Sequence, residues 1–243
     1  MPQPLIHVSD LTKEVTSLYR KHFFDFLRIL IWLLVPTVLS ALLPLFPISK
    51  LSKIVIDASL SLLMVILSLW LSVTLVDLVG TYAGKTNAKK LKQGIWAQAG
   101  RVVDFTLISL LQAAVIFIGF LLFVIPGFIF LNWFSFARYA VLIDESSPGS
   151  EALRLSKNLV NGRFWSIAWR WIGSYLYFGS FLVLVTIALV ALVGALLGDP
   201  GLGLRNGQPV WWSTLIVSVF SVLVTPIFIA VGVLLYEDAK RTK

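Results

Sequence analysis

The chain has 243 residues, of which 58% are hydrophobic and only 13% charged, and it carries a net charge of +8 with a mean hydropathy of +0.90. A soluble domain usually has about 25% charged residues, so this composition cannot cover an apolar core with a polar surface, which excludes a soluble enzyme and makes the chain a membrane protein. It has no cysteine, so disulfides, thiolate nucleophiles, iron–sulfur clusters and cysteine zinc sites are excluded, and only His7 and His22 remain as imidazoles.

In chain order, Ser9 is placed to cap a short amphipathic helix with Asp10 in its first turn, and Leu11, Val15, Leu18 and His22 are spaced to share one face of it. A first apolar run, 23–46, is long enough for the roughly 20 residues a bilayer crossing needs. It is too long for a cleaved signal peptide and is expected to stay as an anchor. A second run covers 54–79. Next comes a basic segment with Ala88, Leu91, Ile95 and Ala99 on one side and Lys89, Lys90 and Lys92 on others. Runs 102–125 and 127–143 follow, joined at Val124-Ile125-Pro126-Gly127, where Pro126 should end one helix and Gly127 permit the reversal.

Between Ser147-Pro148 and Asn161-Gly162 a third amphipathic helix sets Ala152, Leu155 and Leu159 against Glu151, Arg154, Lys157 and Asn158. The fifth run, 164–197, spans roughly 50 Å as a helix, more than one crossing. Trp165, Trp169, Trp171, Tyr175 and Tyr177 mark its first part as an interfacial belt, with Arg170 reaching to headgroups and the crossing proper at 174–197. A turn-forming loop over 199–207 leads to the last run, 211–236. Pro36 and Pro226 should kink the first and last spans. The fold class is therefore all-α: one integral membrane domain over 1–243 with six spans and short amphipathic interfacial helices on the cytoplasmic side.

Lys and Arg resist translocation, so their distribution gives orientation. Of the 18 basic residues outside the span interiors, 15 fall on one set of alternate segments, leaving Lys50, Lys53 and Arg205 on the other. Both termini are then cytoplasmic. The charge sits where anionic headgroups attract it, and no soluble domain is present to bind nucleic acid. The expected headgroup-binding residues are Lys89, Lys90, Lys92, Arg101, Arg154, Lys157, Arg163 and Arg170, and the basic cytoplasmic face is expected to engage anionic lipid of the inner leaflet or a cytoplasmic partner.

Ionisable groups inside spans are costly and pair where they can. Asp25, Arg28, Asp77, Asp104 and Arg138 all lie in the cytoplasmic third of their spans, so a self-neutralising network is expected in which an acid takes Arg28 or Arg138. Asp144-Glu145 and Glu237-Asp238 read as solvated pairs. No catalytic motif or metal-ligand set occurs, and no cofactor is implied. The starts of the odd spans, Lys21-His22-Phe23-Phe24-Asp25-Phe26, Gly100-Arg101-Val102-Val103-Asp104-Phe105 and Gly162-Arg163-Phe164-Trp165-Ser166-Ile167, share a base, two bulky apolar residues and a small polar one. A threefold repeat of interfacial helix plus hairpin would produce this pattern.

Pro126-Gly127, Phe136-Ala137-Arg138-Tyr139-Ala140-Val141-Leu142, the stretch Glu151 to Trp165 and the closing Tyr236-Glu237-Asp238-Ala239-Lys240-Arg241 together resemble a group of prokaryotic six-helix inner-membrane proteins, similar to the membrane domain of some glycerophosphodiester phosphodiesterases. The resemblance covers about 40 residues. It implies a six-span bundle of the bacterial inner membrane, without the phosphodiesterase activity, whose soluble domain has no counterpart in this sequence. It carries no site residues.

Overall fold

The computed structural model describes residues 5–84, 95–144, 146, 148–199, 203–205 and 208–243. The chain forms α1 (Val8–Lys21), α2 (Phe23–Leu42), α3 (Lys50–Tyr82), α4 (Ile95–Leu122), α5 (Val124–Trp133), α6 (Ala137–Asp144), α7 (Ser150–Val160), α8 (Phe164–Leu196) and α9 (Trp211–Arg241), with a two-residue antiparallel pair, β1 (Leu204–Arg205) and β2 (Gln208–Pro209), before α9. Among the described residues six helical stretches are long and apolar enough to cross a membrane: Phe23–Leu45, Lys50–Tyr82, Ala99–Leu122, Val124–Asp144, Phe164–Leu196 and Trp211–Arg241. The protein is an all-α, multi-pass membrane protein, as its composition requires.

Several local expectations change. Helix α1 begins at Val8, and the His7 carbonyl accepts the Asp10 and Leu11 N–H groups, so Ser9 lies inside the first turn instead of capping it. The reversal after α4 occurs at Phe123, whose extended backbone (φ −168°, ψ 161°) is the only residue between α4 and α5. Pro126 therefore opens α5 instead of closing α4, a place where its missing N–H costs nothing. Gly127 serves packing: a Cβ there would collide with the Phe120 ring, and Gly119 approaches so closely that its own Cβ would stand 3.1 Å from the Gly127 Cα. Pro36 and Pro226 both sit within helices that continue past them. The loop before α9 is ordered by the short β pair, by a Val210 N–H donated to the Gly203 carbonyl (2.9 Å) and by Ser213 Oγ on the same carbonyl (2.8 Å).

The chain divides into two compact units. The first comprises residues 1–21, 69–175 and 227–243. Its core is the face of α1 at Leu11, Val15 and Leu18, the end of α3 from Leu71 to Val79, Phe136 to Leu142, and the run Ala230 to Tyr236 of α9. Phe136, Tyr139, Trp171, Tyr175, Phe228 and Tyr236 form one aromatic chain with centroid spacings of 4.9–6.2 Å.

The second unit comprises residues 22–68 and 176–226. There α2 buries Phe26, Leu30, Leu33, Thr37 and Ala41 at helical spacing and exposes Ile31, Trp32, Val35 and Leu39. The first turns of α3 expose Leu51, Ile54, Val55, Leu62, Leu63, Val65 and Ile66. Side chains like these on many sides of a helix suit a hydrocarbon solvent, where apolar exposure carries no penalty.

Candidate functional site

Three polar groupings lie near helix ends in the first unit. In the first, Asp77 near the end of α3 accepts both terminal nitrogens of Arg101 at the start of α4. One of these bonds is 2.7 Å, and Arg101 also reaches the Leu142 carbonyl at 3.1 Å. The side chains are 3% and 16% exposed, so this is a buried bidentate pair. In the second, Asp144 at the end of α6 accepts the Tyr236 hydroxyl at 2.8 Å and Lys240 at 2.6 Å, both from α9.

The third grouping ties α8 and the end of α9 to the segment before α1. Asp238 accepts the Ile6 N–H (2.7 Å) and a guanidinium N–H of Arg241 (3.0 Å). Arg163 donates to Thr242 Oγ1 and to the Ala239 carbonyl, each at 2.7 Å, and to the Leu159 carbonyl at 3.2 Å. Lys243 donates to the Asn158 carbonyl. Its ammonium is held below the usual lysine range, first by burial and then by the Arg163 charge.

Of the expected network, the pairing of an acid with Arg28 is present, but within one helix instead of between helices. Asp25 lies 3.9 Å from Arg28 and 3.5 Å from His22 on its own turn of helix. Asp77 takes Arg101 instead of Arg28 or Arg138. Asp104 is half-buried and makes no ion pair among the described residues. The reason is orientation: the Arg28 side chain is 84% exposed, and Arg138 projects from the outer face of α6 while Tyr139, Ala140 and Val141 turn inward.

The expected headgroup set also narrows. Arg101 and Arg163 spend their donors on Asp77 and on protein carbonyls. Arg170 donates to the Leu5, Ile6 and Ser166 carbonyls rather than reaching outward. Lys89, Lys90 and Lys92 lie outside the described residues. Arg154 and Lys157 remain exposed on α7, with the Lys157 ammonium 4.4 Å from the Trp133 ring centroid. To these the structure adds exposed Arg138.

Helix α7, which carries two of these cations, docks into a break in the fourth span. Between α5 and α6 the helix opens at Phe134–Phe136, and fully buried Ser156 of α7 closes the gap. It accepts the Phe136 N–H at 3.0 Å and donates to the Trp133 carbonyl at 2.7 Å. The buried stripe of α7 is accordingly Ala152, Ser156 and Val160, with Leu155 and Leu159 half-buried beside it. Asn132 Nδ2 meets the Phe164 carbonyl at 2.9 Å, fixing α5 to the start of α8.

Sequence reasoning misses Ser156 and reads Asp144 and Asp238 as solvated, where the structure engages both in hydrogen bonds. Asp57 was also passed over, although it lies within the second apolar run, where it is exposed and accepts the Ser40 hydroxyl at 2.7 Å. Glu237-Asp238 belongs to the last turns of α9 and is no solvated loop pair. No grouping of three or more metal-ligating side chains occurs among the described residues. No protein-family description, curated protein or solved structure matches the chain.

Proposed function

We propose that the protein is a non-enzymatic component of a bacterial inner membrane, with both termini cytoplasmic, whose basic end binds anionic lipid headgroups. The observation that carries this is the exposure of Arg138, Arg154 and Lys157 on α6 and α7, two helices whose other faces are buried in the first unit. A fixed helix holding exposed cations beside Trp133 spends little side-chain or backbone entropy on meeting a phosphate. The crowding of basic residues onto alternate segments supports the same reading, since that side faces anionic lipid.

Purified protein in neutral detergent would be titrated with phosphatidylglycerol and, separately, phosphatidylcholine while its melting temperature is followed. Phosphatidylglycerol should raise it selectively, and added salt should weaken the effect. Equal shifts with both lipids would defeat the proposal.

A second reading, a transporter or channel subunit for a small or lipid-like solute, rests on a different observation. Ser109 Oγ and Gln112 Oε1, one turn apart on α4, are buried with no hydrogen-bond partner among the described residues, as is Ser174 Oγ on α8. Unpaired polar atoms at membrane depth are costly and suit a site that a polar solute fills. Solute flux in proteoliposomes that is lost in Gln112→Leu would favour this reading.

A further inference from the structure

The short segment ahead of α1 is held by its backbone and by the buried side chain of Leu5, 5% exposed. Arg170 donates Nε to the Ile6 carbonyl (2.5 Å) and a terminal nitrogen to the Leu5 carbonyl (2.8 Å), while Asp238 accepts the Ile6 N–H (2.7 Å). A guanidinium on α8 and a carboxylate on α9 thus read the acceptors and the donor of one dipeptide, and the planar fork of arginine suits two carbonyls at once. Both walls are set by their own helices. Arg170 is braced on the Ser166 carbonyl (2.7 Å) and Asp238 on Arg241 (3.0 Å). Beside it, Gly173 of α8 lies against the start of α1, for a Cβ there would stand 3.0 Å from Val8 Cγ1.

Two features distinguish this arrangement from a fixed crosslink. First, Arg170 and Asp238 lie within each other's electrostatic field. The two charges are opposite in sign, so together they add no net charge to the slot whether it is filled or empty. Second, α1 has its own anchorage: Leu11 and Val15 are fully buried and Leu18 nearly so. The segment can therefore disengage without carrying α1 away.

We propose that Arg170 and Asp238 form a binding slot for an extended peptide backbone, filled in cis by Leu5–Ile6, and that this segment is a detachable strap whose release uncovers the slot. Such a device gives the polar end of the first unit two discrete states, one with the strap seated and one with the charged pair open to water.

The chain has no cysteine, so single thiols report cleanly. Leu5→Cys and, separately, Val15→Cys would be introduced into the full chain in nanodiscs and their rates of reaction with a water-soluble maleimide measured. Loss of a hydrogen bond to a charged partner should raise Leu5→Cys labelling roughly tenfold in Arg170→Ala and in Asp238→Ala. Asp238→Asn, which keeps an acceptor oxygen for the Ile6 N–H, should stay within about twofold of the parent. Val15→Cys should remain protected throughout.

Unchanged Leu5→Cys labelling in Arg170→Ala would overturn the proposal by showing that apolar packing alone holds the segment. An equal rise at Val15→Cys would also overturn it, since the pair would then hold the whole of α1. Arg170→Ala decides the matter by itself if Asp238→Ala does not fold.

Discussion

At the scale of single residues, the most consequential contact is the one between Asp77 and Arg101. A carboxylate 3% exposed and a guanidinium 16% exposed are stable together and costly apart, because the remaining partner keeps a desolvated charge. Asp77→Ala or Arg101→Ala should each destabilise the protein by about 3–5 kcal/mol, and the double variant by clearly less than their sum. Unfolding in detergent, read as a double-mutant cycle, checks this, and strict additivity would mean the charges do not interact. A second residue-scale case is Gly232, where a Cβ would collide with the Tyr139 hydroxyl across the contact between α9 and α6. Gly232→Ala should cost about 1–3 kcal/mol through overpacking, and a melting temperature equal to the parent's would show that Tyr139 can step aside.

Among the elements, α7 shows how a short helix acts on a longer one. Its Ser156 hydroxyl satisfies the N–H and the carbonyl that the break between α5 and α6 leaves open. Ser156 is fully buried, so no bulk water substitutes for it. Ser156→Ala should therefore lose about 1–3 kcal/mol despite removing a single atom, and should speed hydrogen exchange at the Phe136 amide. An unchanged exchange rate would mean the break is closed by other means.

The same element shows what the sequence made legible. Spacing revealed α7, its end at Asn161-Gly162 and the outward placing of Arg154 and Lys157. It set the buried face one residue off, at Ala152, Leu155 and Leu159, because a serine on the buried side reads as polar. The six spans were legible because hydropathy is a local property, summed over neighbours in the chain. The pairing of Ile6 with Asp238 was not, since those residues stand 232 apart and no periodicity links them. The turn at Phe123 was hidden for another reason: Pro126-Gly127 carries the stronger turn signal, yet proline is equally at home in the first turn of a helix and that glycine is needed for close approach to Phe120.

At the scale of the whole molecule, the asymmetric basic residues predict that the 80–101 and 144–163 segments face the cytoplasm. A cysteine introduced at Arg154 should resist a membrane-impermeant thiol reagent in intact cells and react once the cells are opened. Labelling before lysis would invert the orientation. Orientation matters to function because only the cytoplasmic leaflet supplies the negative surface potential that Arg138, Arg154 and Lys157 would use. Each basic residue near such a surface is worth about 1 kcal/mol, so the three together should enrich anionic lipid on the order of a hundredfold locally before screening.

The most direct measurement is the lipid that stays with the protein when it is extracted from bilayers of equal phosphatidylglycerol and phosphatidylcholine and analysed by native mass spectrometry. The parent chain should retain phosphatidylglycerol in clear excess. Arg138→Gln, Arg154→Gln and Lys157→Gln combined should abolish most of that excess, while Lys50→Gln with Lys53→Gln, in the second unit, should leave it intact. An excess that survives the triple substitution, or no excess in the parent, would contradict a headgroup-binding role for the basic end.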